Sequence, residues 1–114
     1  MNVLVVDDEE DIRDVFEDEH YTVSVAMNGA EAMAKLAQLA GACVVILDLR
    51  MPIMGGNEVY QAMLRDERLA ATPVVVTTSD PSSAPSGVLV MRKPLHLERL
   101  IETVKGMAHQ ISQR

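Results

Sequence analysis

The chain has 114 residues, with 17 acidic residues against 10 lysines and arginines, and a formal net charge of −7. This length predicts one domain over residues 1–114, because single domains cluster at roughly 100–150 residues. A hydrophobic fraction of 48% allows a buried core and argues against disorder. The acidic balance argues against direct nucleic-acid binding, since phosphate backbones attract lysine and arginine. No apolar run reaches the roughly 20 residues of a membrane helix, so no membrane insertion is expected.

Cys43 is the only cysteine, so the chain cannot form an internal disulfide. It lies in an apolar run, which indicates a small buried hydrophobic residue. The chain does not open with a signal-peptide pattern, because acidic residues begin at Asp7. We therefore expect a reducing, cytoplasmic location.

Five short apolar runs predict β-strands and alternate with segments of helical period. The runs are Val3–Val6, Thr22–Ala26, Cys43–Leu47, Val74–Thr77 and Val88–Met91. Apolar residues at helical spacing predict the helices, with stripes at Ile12, Val15 and Phe16, at Met33, Leu36, Ala37 and Ala40, at Val59, Ala62 and Met63, and at Leu97, Leu100, Ile101 and Val104. Continuously apolar strands alternating with helices predict an α/β fold, a doubly wound parallel sheet with helices on both faces.

Polar residues follow four of the five predicted strands. Asp7 and Asp8 follow the first, Asp48 ends the third, Thr78 the fourth, and Lys93 comes after the fifth. Ligands bind beyond the carboxyl ends of parallel strands, so these residues are expected to converge. Three crowded carboxylates without His or Cys favour a hard cation, and Mg²⁺ fits best. A carboxylate beside Mg²⁺ and a lysine can attack a phosphoryl group and form an aspartyl phosphate.

Taken singly, each of these residues has a simpler explanation. Asp7 and Asp8 are suited to the start of a helix, where acids favour the positive end of the dipole. Lys93 before Pro94 is compatible with an ordinary turn. An aspartate that ends an otherwise apolar strand, such as Asp48, is harder to explain as a residue that only aids solubility. The conjunction at four strand ends therefore indicates a site.

The motifs around these residues resemble a known family. Asp7-Asp8-Glu9 follows an apolar strand, residues 48–56 read DLRMPIMGG, Pro73 precedes VVVTTS, and Lys93-Pro94 comes last. In this order, over essentially the whole chain, they resemble the receiver domain of bacterial response regulators in two-component signalling. The resemblance implies a flavodoxin-like, five-stranded parallel sheet in the order 2-1-3-4-5.

The resemblance also implies roles for single residues. Asp48 matches the phosphorylated aspartate and Asp8 the direct Mg²⁺ ligand, with Asp7 as its acidic neighbour. The metal ligands would thus be Asp7, Asp8, Asp48 and the backbone carbonyl of Arg50, and Mn²⁺ could substitute for Mg²⁺.

The other implied roles concern the phosphoryl group. Lys93 matches the phosphate-contacting lysine, Thr78 the switch hydroxyl, and Ser79 the small residue whose N–H contacts phosphate. Arg50 and Asp80 match two positions that tune the access of water to the acyl phosphate. The alternative for this last pair is that both are solvated surface charges, worth under about 1 kcal/mol if paired.

The chain departs from the family pattern in three places. The interval from Asp8 to Gly29 is about four residues short, which predicts a first helix that lacks one turn. Residues 79–87 contain two prolines and a glycine but no apolar stripe, so the fourth helix should be missing or reduced to a turn. Val90 stands where the family commonly has an aromatic that reports the switch, which predicts an altered output surface.

Three functions remain open. The leading one is a phosphoacceptor that takes its phosphoryl group from a histidine kinase or histidine phosphotransfer protein and signals to an unknown downstream protein. Such a chain assists its own phosphorylation and dephosphorylation and is not an enzyme for a separate substrate. The alternative is a receiver-fold binding module that acts without phosphorylation, favoured by the reduced helix and Val90. An aspartyl-phosphate hydrolase ranks last, because that class needs an acid where Arg50 stands.

Overall fold

The computed structural model describes residues 1–7, 10–39 and 41–112. The strands are β1 (Asn2–Val6), β2 (Thr22–Ala26), β3 (Cys43–Asp48), β4 (Val74–Thr78) and β5 (Leu89–Arg92). The α-helices are α1 (Glu10–Asp18), α2 (Gly29–Gln38), α3 (Gly56–Arg65) and α4 (Leu97–Ser112), and a 3₁₀ turn (Pro81–Ser83) lies between β4 and β5.

All five strands pair in parallel, in the order β2-β1-β3-β4-β5. The predicted fold class and strand order are therefore confirmed. Five boundaries differ from the predicted runs by one residue each, at the start of β1, at the ends of β3 and β4, and at both ends of β5. β4 extends to Thr78, which pairs with Arg92, and β5 begins at Leu89, because its pairing with Val75 opens the ladder there.

Each face of the sheet buries its own aliphatic core. One face packs against α2 and α3, with Leu36, Val59 and Met63 fully buried. The other face packs against α1 and α4, with Phe16 and Leu100 fully buried. Successive strand residues alternate between the two faces. The α1/α4 face carries Val5, Ile46, Val75 and Met91.

The helices follow the predicted stripes with one difference. The side chain of Asn28 accepts from the Glu31 N–H at 2.9 Å and caps the start of α2. Ala37 was predicted on the apolar stripe of α2 but is exposed, because Gly29, Ala32 and Leu36 form the buried side instead. Ala40 lies outside the described residues.

The two predicted reductions of the family pattern are present. Helix α1 has nine residues, and His20 follows it with a φ of 69°, in the left-handed region. The fourth helix of the family is absent from the described segment between β4 and β5, which holds a three-residue 3₁₀ turn. Helix α4 of this chain therefore stands in the place of the family's fifth helix. None of the helices in the described ranges is long and apolar enough to cross a bilayer.

Cys43 is expected to be unreactive in the folded protein. It is 8% exposed, and burial raises the pKa of its thiol from 9.0 to about 11, against a smaller lowering by a hydrogen bond from the Leu4 backbone. At pH 8 about 100-fold less thiolate is then available than in the unfolded chain. A disulfide exchange reagent should label Cys43 at least about 100-fold faster in denaturant. Equal rates would contradict this burial. The raised pKa also makes stability fall as pH rises from 9 towards 11.

Candidate functional site

The carboxyl ends of β1, β3 and β5 bring together three charged side chains. Asp7 directly follows β1, Asp48 is the last residue of β3, and Lys93 directly follows β5. Each lies two positions after a strand residue of the α1/α4 face. Since strand side chains alternate, all three project on that face of the sheet.

Lys93 joins the two aspartates. Its Nζ lies 3.5 Å from Asp7 Oδ2 and 3.3 Å from Asp48 Oδ2. Asp7 is 1% exposed and Asp48 7%, so both carboxylates sit where a charge needs a counter-ion. The other oxygen of Asp48, Oδ1, accepts from the Arg50 backbone N–H at 3.2 Å. A buried carboxylate therefore stands between an ammonium and a backbone donor.

The donor chemistry of this site fits Mg²⁺. Asp7 and Asp48 offer carboxylate oxygens, and the backbone of Arg50 runs beside Asp48. Mg²⁺ prefers such hard oxygen ligands and keeps several waters, so two carboxylates and a carbonyl suffice. Asp8, the predicted direct ligand, lies outside the described residues. Within residues 1–7, 10–39 and 41–112, no three His, Cys, Asp or Glu side chains cluster closely enough to hold a metal by themselves.

Thr78 ends β4 beside the site, but its hydroxyl is hydrogen-bonded to the backbone of Asp80. The residue is 2% exposed at the end of β4. Its Oγ1 accepts from the Asp80 backbone N–H at 3.0 Å and lies 3.3 Å from the Asp80 carbonyl, to which it can donate. The Thr78 O atom also accepts from the Lys93 N–H at 2.8 Å. The predicted switch hydroxyl thus holds the first turn of the 79–87 segment.

Asp80 organises the 3₁₀ turn that replaces a helix. Its Oδ1 accepts from Ser82 Oγ at 2.6 Å and from the Ser82 N–H at 3.2 Å, while Oδ2 accepts from Ser83 Oγ at 2.7 Å. The hydrogen bonds from Ser82, and then from Ser83, lower the pKa of Asp80. The charge of Arg50 lowers this pKa by a smaller amount. Because the pKa of Asp80 is lower in the folded protein than in the unfolded chain, the ionised carboxylate stabilises the turn at pH values above its ordinary pKa. This stabilisation is lost as the pH falls through the lowered pKa of the folded state.

Arg50 and Asp80, the proposed tuning pair, are therefore electrostatically coupled but serve separate local structures. Arg50 is exposed and supports Asp48 through its backbone, whereas the Asp80 carboxylate caps the 3₁₀ turn. Ser79, between Thr78 and Asp80, is exposed.

The loop from Asp48 to α3 is tightly packed and locally strained. Ile53 has a φ of 70° and is 82% exposed, and the Met54 N–H reaches the Pro52 carbonyl at 2.7 Å across it. A β-branched residue in the left-handed region is unusual, because its Cβ crowds the backbone. Gly56 has no room for a side chain, since a Cβ there would lie 2.4 Å from the Asp48 carbonyl oxygen.

Asn57 is a site neighbour that the sequence did not reveal. Its Nδ2 donates to the Ser83 carbonyl at 3.2 Å, joining the first turn of α3 to the 3₁₀ turn 26 positions later. An asparagine near a helix start suggests a local cap, so no sequence signal pointed to this long-range partner. The sequence predicted Thr77 only as the last residue of the fourth strand. The sequence signal that could have singled it out is a polar residue directly after the three valines of β4.

Comparison with known proteins identifies the family. The sequence model of the response regulator receiver domain matches residues 3–105. The chain belongs to the response regulator receiver family. Receiver domains are signalling modules. The chain is 32% identical over 108 residues to a response regulator receiver protein of Anaeromyxobacter, covering 87% of this chain and 45% of that protein.

Solved receiver structures share the fold. Chemotaxis response regulator CheY4 of Vibrio cholerae has a TM-score of 0.77 and 31% identity, with 91% of this chain and 95% of that chain covered. The receiver domain of a signal transduction histidine kinase from Syntrophus aciditrophicus has a TM-score of 0.88 and 25% identity, covering 99% and 93%. The chain spans 24% to 45% of the length of four of its curated relatives.

Proposed function

We propose that this receiver accepts a phosphoryl group on Asp48 in a Mg²⁺-dependent reaction and relays the signal by binding another protein. The donor would be a histidine kinase or a histidine phosphotransfer protein in the cytoplasm, and the downstream protein is unidentified. The observation that carries the proposal is the Lys93 ammonium, which lies within 4 Å of both Asp7 and Asp48 at the carboxyl edge of the sheet.

The chemistry requires a nucleophile and compensation of negative charge. An oxygen of Asp48 forms a bond to phosphorus while the bond from phosphorus to the donor's imidazole nitrogen breaks, and the electron pair leaves with that nitrogen. Lys93 is placed to neutralise charge on the transferring group, and the Arg50 N–H holds the other Asp48 oxygen. When bound to Asp7, Asp8, Asp48 and the Arg50 carbonyl, Mg²⁺ would supply further charge neutralisation.

Thr78 provides the route from phosphorylation to a change of surface. Its hydroxyl holds the backbone of Asp80, and Asp80 holds the 3₁₀ turn. If the hydroxyl turns to bind a phosphoryl oxygen, the hydrogen bonds to Asp80 are lost and the 79–87 segment is released. This is a switch by local order, of a kind that other signalling proteins use. Ser79 would offer its backbone N–H to the phosphoryl group.

A phosphorylation-independent binding module is the second candidate. It is favoured by the 3₁₀ turn that replaces a helix and by Val90, which is half-buried in the α2/α3 core and carries no ring. In this case the surface around β5 would bind its partner whatever the state of Asp48.

The two candidates are separated by mass spectrometry after incubation with acetyl phosphate and Mg²⁺. The first predicts a gain of one phosphoryl group in the wild type, loss of that gain with a chelator, and no gain in Asp48→Asn. An unmodified wild type under the same conditions would favour the binding module. Phosphorylation that persists in Asp48→Asn would place the acceptor elsewhere.

Asp80→Ala is expected to change the decay of the acyl phosphate more than its formation. The Asp80 N–H donates to the Thr78 hydroxyl, and the charge of Arg50 acts on its carboxylate, so Asp80 is placed to affect how water approaches the acyl phosphate. Solvent screens this charge, so the change in decay should be modest, up to about 5-fold. Phosphate release after removal of acetyl phosphate measures the decay, with Asp80→Asn as the matched variant that keeps one acceptor oxygen. Unchanged decay in Asp80→Ala would overturn the tuning role.

A further inference from the structure

Thr77 carries a buried polar group that no residue in the described part of the chain pairs with. The residue is fully buried in β4, and its Oγ1 has no hydrogen-bond partner among the described residues. A buried hydroxyl without a partner destabilises a fold relative to an apolar side chain of the same shape. Valine would fit this position, which follows three valines of the strand, with nearly the same volume, so the hydroxyl calls for a reason outside core packing.

The position of Thr77 relates it to the Lys93–Asp48 ion pair. Thr77 lies directly opposite Asp48 in the β3–β4 register, at a strand spacing of roughly 4.8 Å. It follows Val75 by two positions, so its side chain is on the α1/α4 face, as are those of Asp48 and Lys93. On its other side Thr77 is paired with Met91, two positions before Lys93.

The ion pair crosses the strand that holds Thr77. Lys93 starts from the end of β5 and Asp48 from the end of β3, with β4 between them. A separation of 3.3 Å between Nζ and Oδ2 therefore requires the lysine side chain to pass over the end of β4. On the face where the pair lies, Thr77 is the last β4 side chain beneath it.

We propose that Thr77 is a positioning residue for Lys93. Its hydroxyl oxygen accepts a hydrogen bond from the ammonium when Lys93 shifts from the Asp48 carboxylate to the phosphoryl group. The inference rests on the proposed function and adds one residue to it. The hydroxyl lowers the stability of the unphosphorylated protein and gains a hydrogen-bond partner in the reactive state. Functional sites commonly retain strained or unsatisfied groups of this kind at a cost in stability.

Thr77→Val tests the proposal, because it removes the hydroxyl at constant volume. We expect the variant to be more stable, with a melting temperature higher by about 3–8 °C, and yet to be phosphorylated by acetyl phosphate about 3–10-fold more slowly. Thr77→Ser should restore the rate to within about 2-fold of the wild type. Val75→Thr is the matched control. It places a hydroxyl on the same face, farther from the ion pair, and should lower stability without changing the rate.

A double-mutant cycle separates positioning from packing. If Thr77 acts through Lys93, then Thr77→Val should have no further effect on the rate in a Lys93→Met background. Equal slowing in both backgrounds, or an unchanged rate in Thr77→Val, would overturn the proposal. The Thr77 hydroxyl would then have no role in positioning Lys93. A wild type that is not phosphorylated at all would instead reject the proposed function, and this inference with it.

Discussion

Lys93→Met is expected to slow phosphorylation of Asp48 by acetyl phosphate about 100-fold. The substitution keeps the aliphatic stem but removes the ammonium that lies 3.3 Å from Asp48 Oδ2. Removing a single preorganised group that stabilises developing charge lowers rates by about 100- to 1,000-fold in enzymes. We place the effect at the lower end, because Mg²⁺ would continue to neutralise part of the charge. The rate is measured by mass spectrometry at saturating Mg²⁺.

The same variant should be less stable without Mg²⁺. Asp7 and Asp48 are buried and would lose a shared counter-ion, a change that lowers the free energy of unfolding by about 3 kcal/mol in comparable buried pairs. If the proposed Mg²⁺ site exists, added Mg²⁺ should recover part of this loss, because a ligand that binds only the folded state stabilises it. Urea unfolding with and without Mg²⁺ measures the recovery.

Lys105→Met is the matched control for Lys93→Met. Lys105 Nζ lies 3.2 Å from Glu19 Oε2 in an exposed ion pair between α4 and the end of α1, away from the carboxyl edge of the sheet. It removes the same charge from the chain and should change neither the phosphorylation rate nor the response to Mg²⁺. An equal slowing by both variants would mean that net charge, and not the Lys93 position, determines the rate.

Gly56→Ala is expected to lower the free energy of unfolding by about 3 kcal/mol and to displace Asp48. A Cβ at this position would lie 2.4 Å from the Asp48 carbonyl oxygen and 2.8 Å from the Leu49 Cα. Both are backbone atoms, so relief requires movement of the end of β3 or of the start of α3. Overpacking of this kind costs about 1–3 kcal/mol, with larger values where backbone must move. Urea denaturation measures the stability, and acetyl phosphate labelling the state of the site.

Gly106→Ala provides the opposite control. Gly106 lies within α4, and a Cβ there would meet nothing within 4 Å. Alanine in a helix interior is more favourable than glycine, so stability should rise by about 0.5–1 kcal/mol. If both glycine variants changed stability by the same amount, the close packing of α3 against Asp48 would not explain the effect at Gly56.

The sequence predicted the charged edge of the site because parallel strands impose it. Asp7, Asp48 and Lys93 end or follow strands of one parallel sheet, and their convergence needs only the strand order. The reduced helix between β4 and β5 was equally accessible, since proline and glycine act on the local backbone. Asp8, the remaining predicted ligand of that edge, stays a prediction because it lies outside the described residues.

The contacts that the sequence could not predict depend on side-chain direction. The Thr78 hydroxyl bonds to the Asp80 backbone, a choice of side-chain rotamer that the apolar pattern of the strand does not encode. Asn57 binds a carbonyl 26 positions away, a distance in sequence at which local patterns give no information. The exposure of Ala37 has a similar origin, because small alanines on α2 leave the rotation of the helix weakly specified by the apolar pattern.

The Asn57–Ser83 hydrogen bond has a consequence for amide exchange. It joins the first turn of α3, which begins beside Asp48, to the 3₁₀ turn that follows Thr78 and Asp80. Because neither segment can detach without breaking this bond, the two should exchange their amide hydrogens through one shared opening. The N–H groups of Val59 and Ser83, both donors to nearby carbonyls, would then report the same opening free energy. In Asn57→Ala the two values should separate, because the start of α3 and the 3₁₀ turn would then open independently.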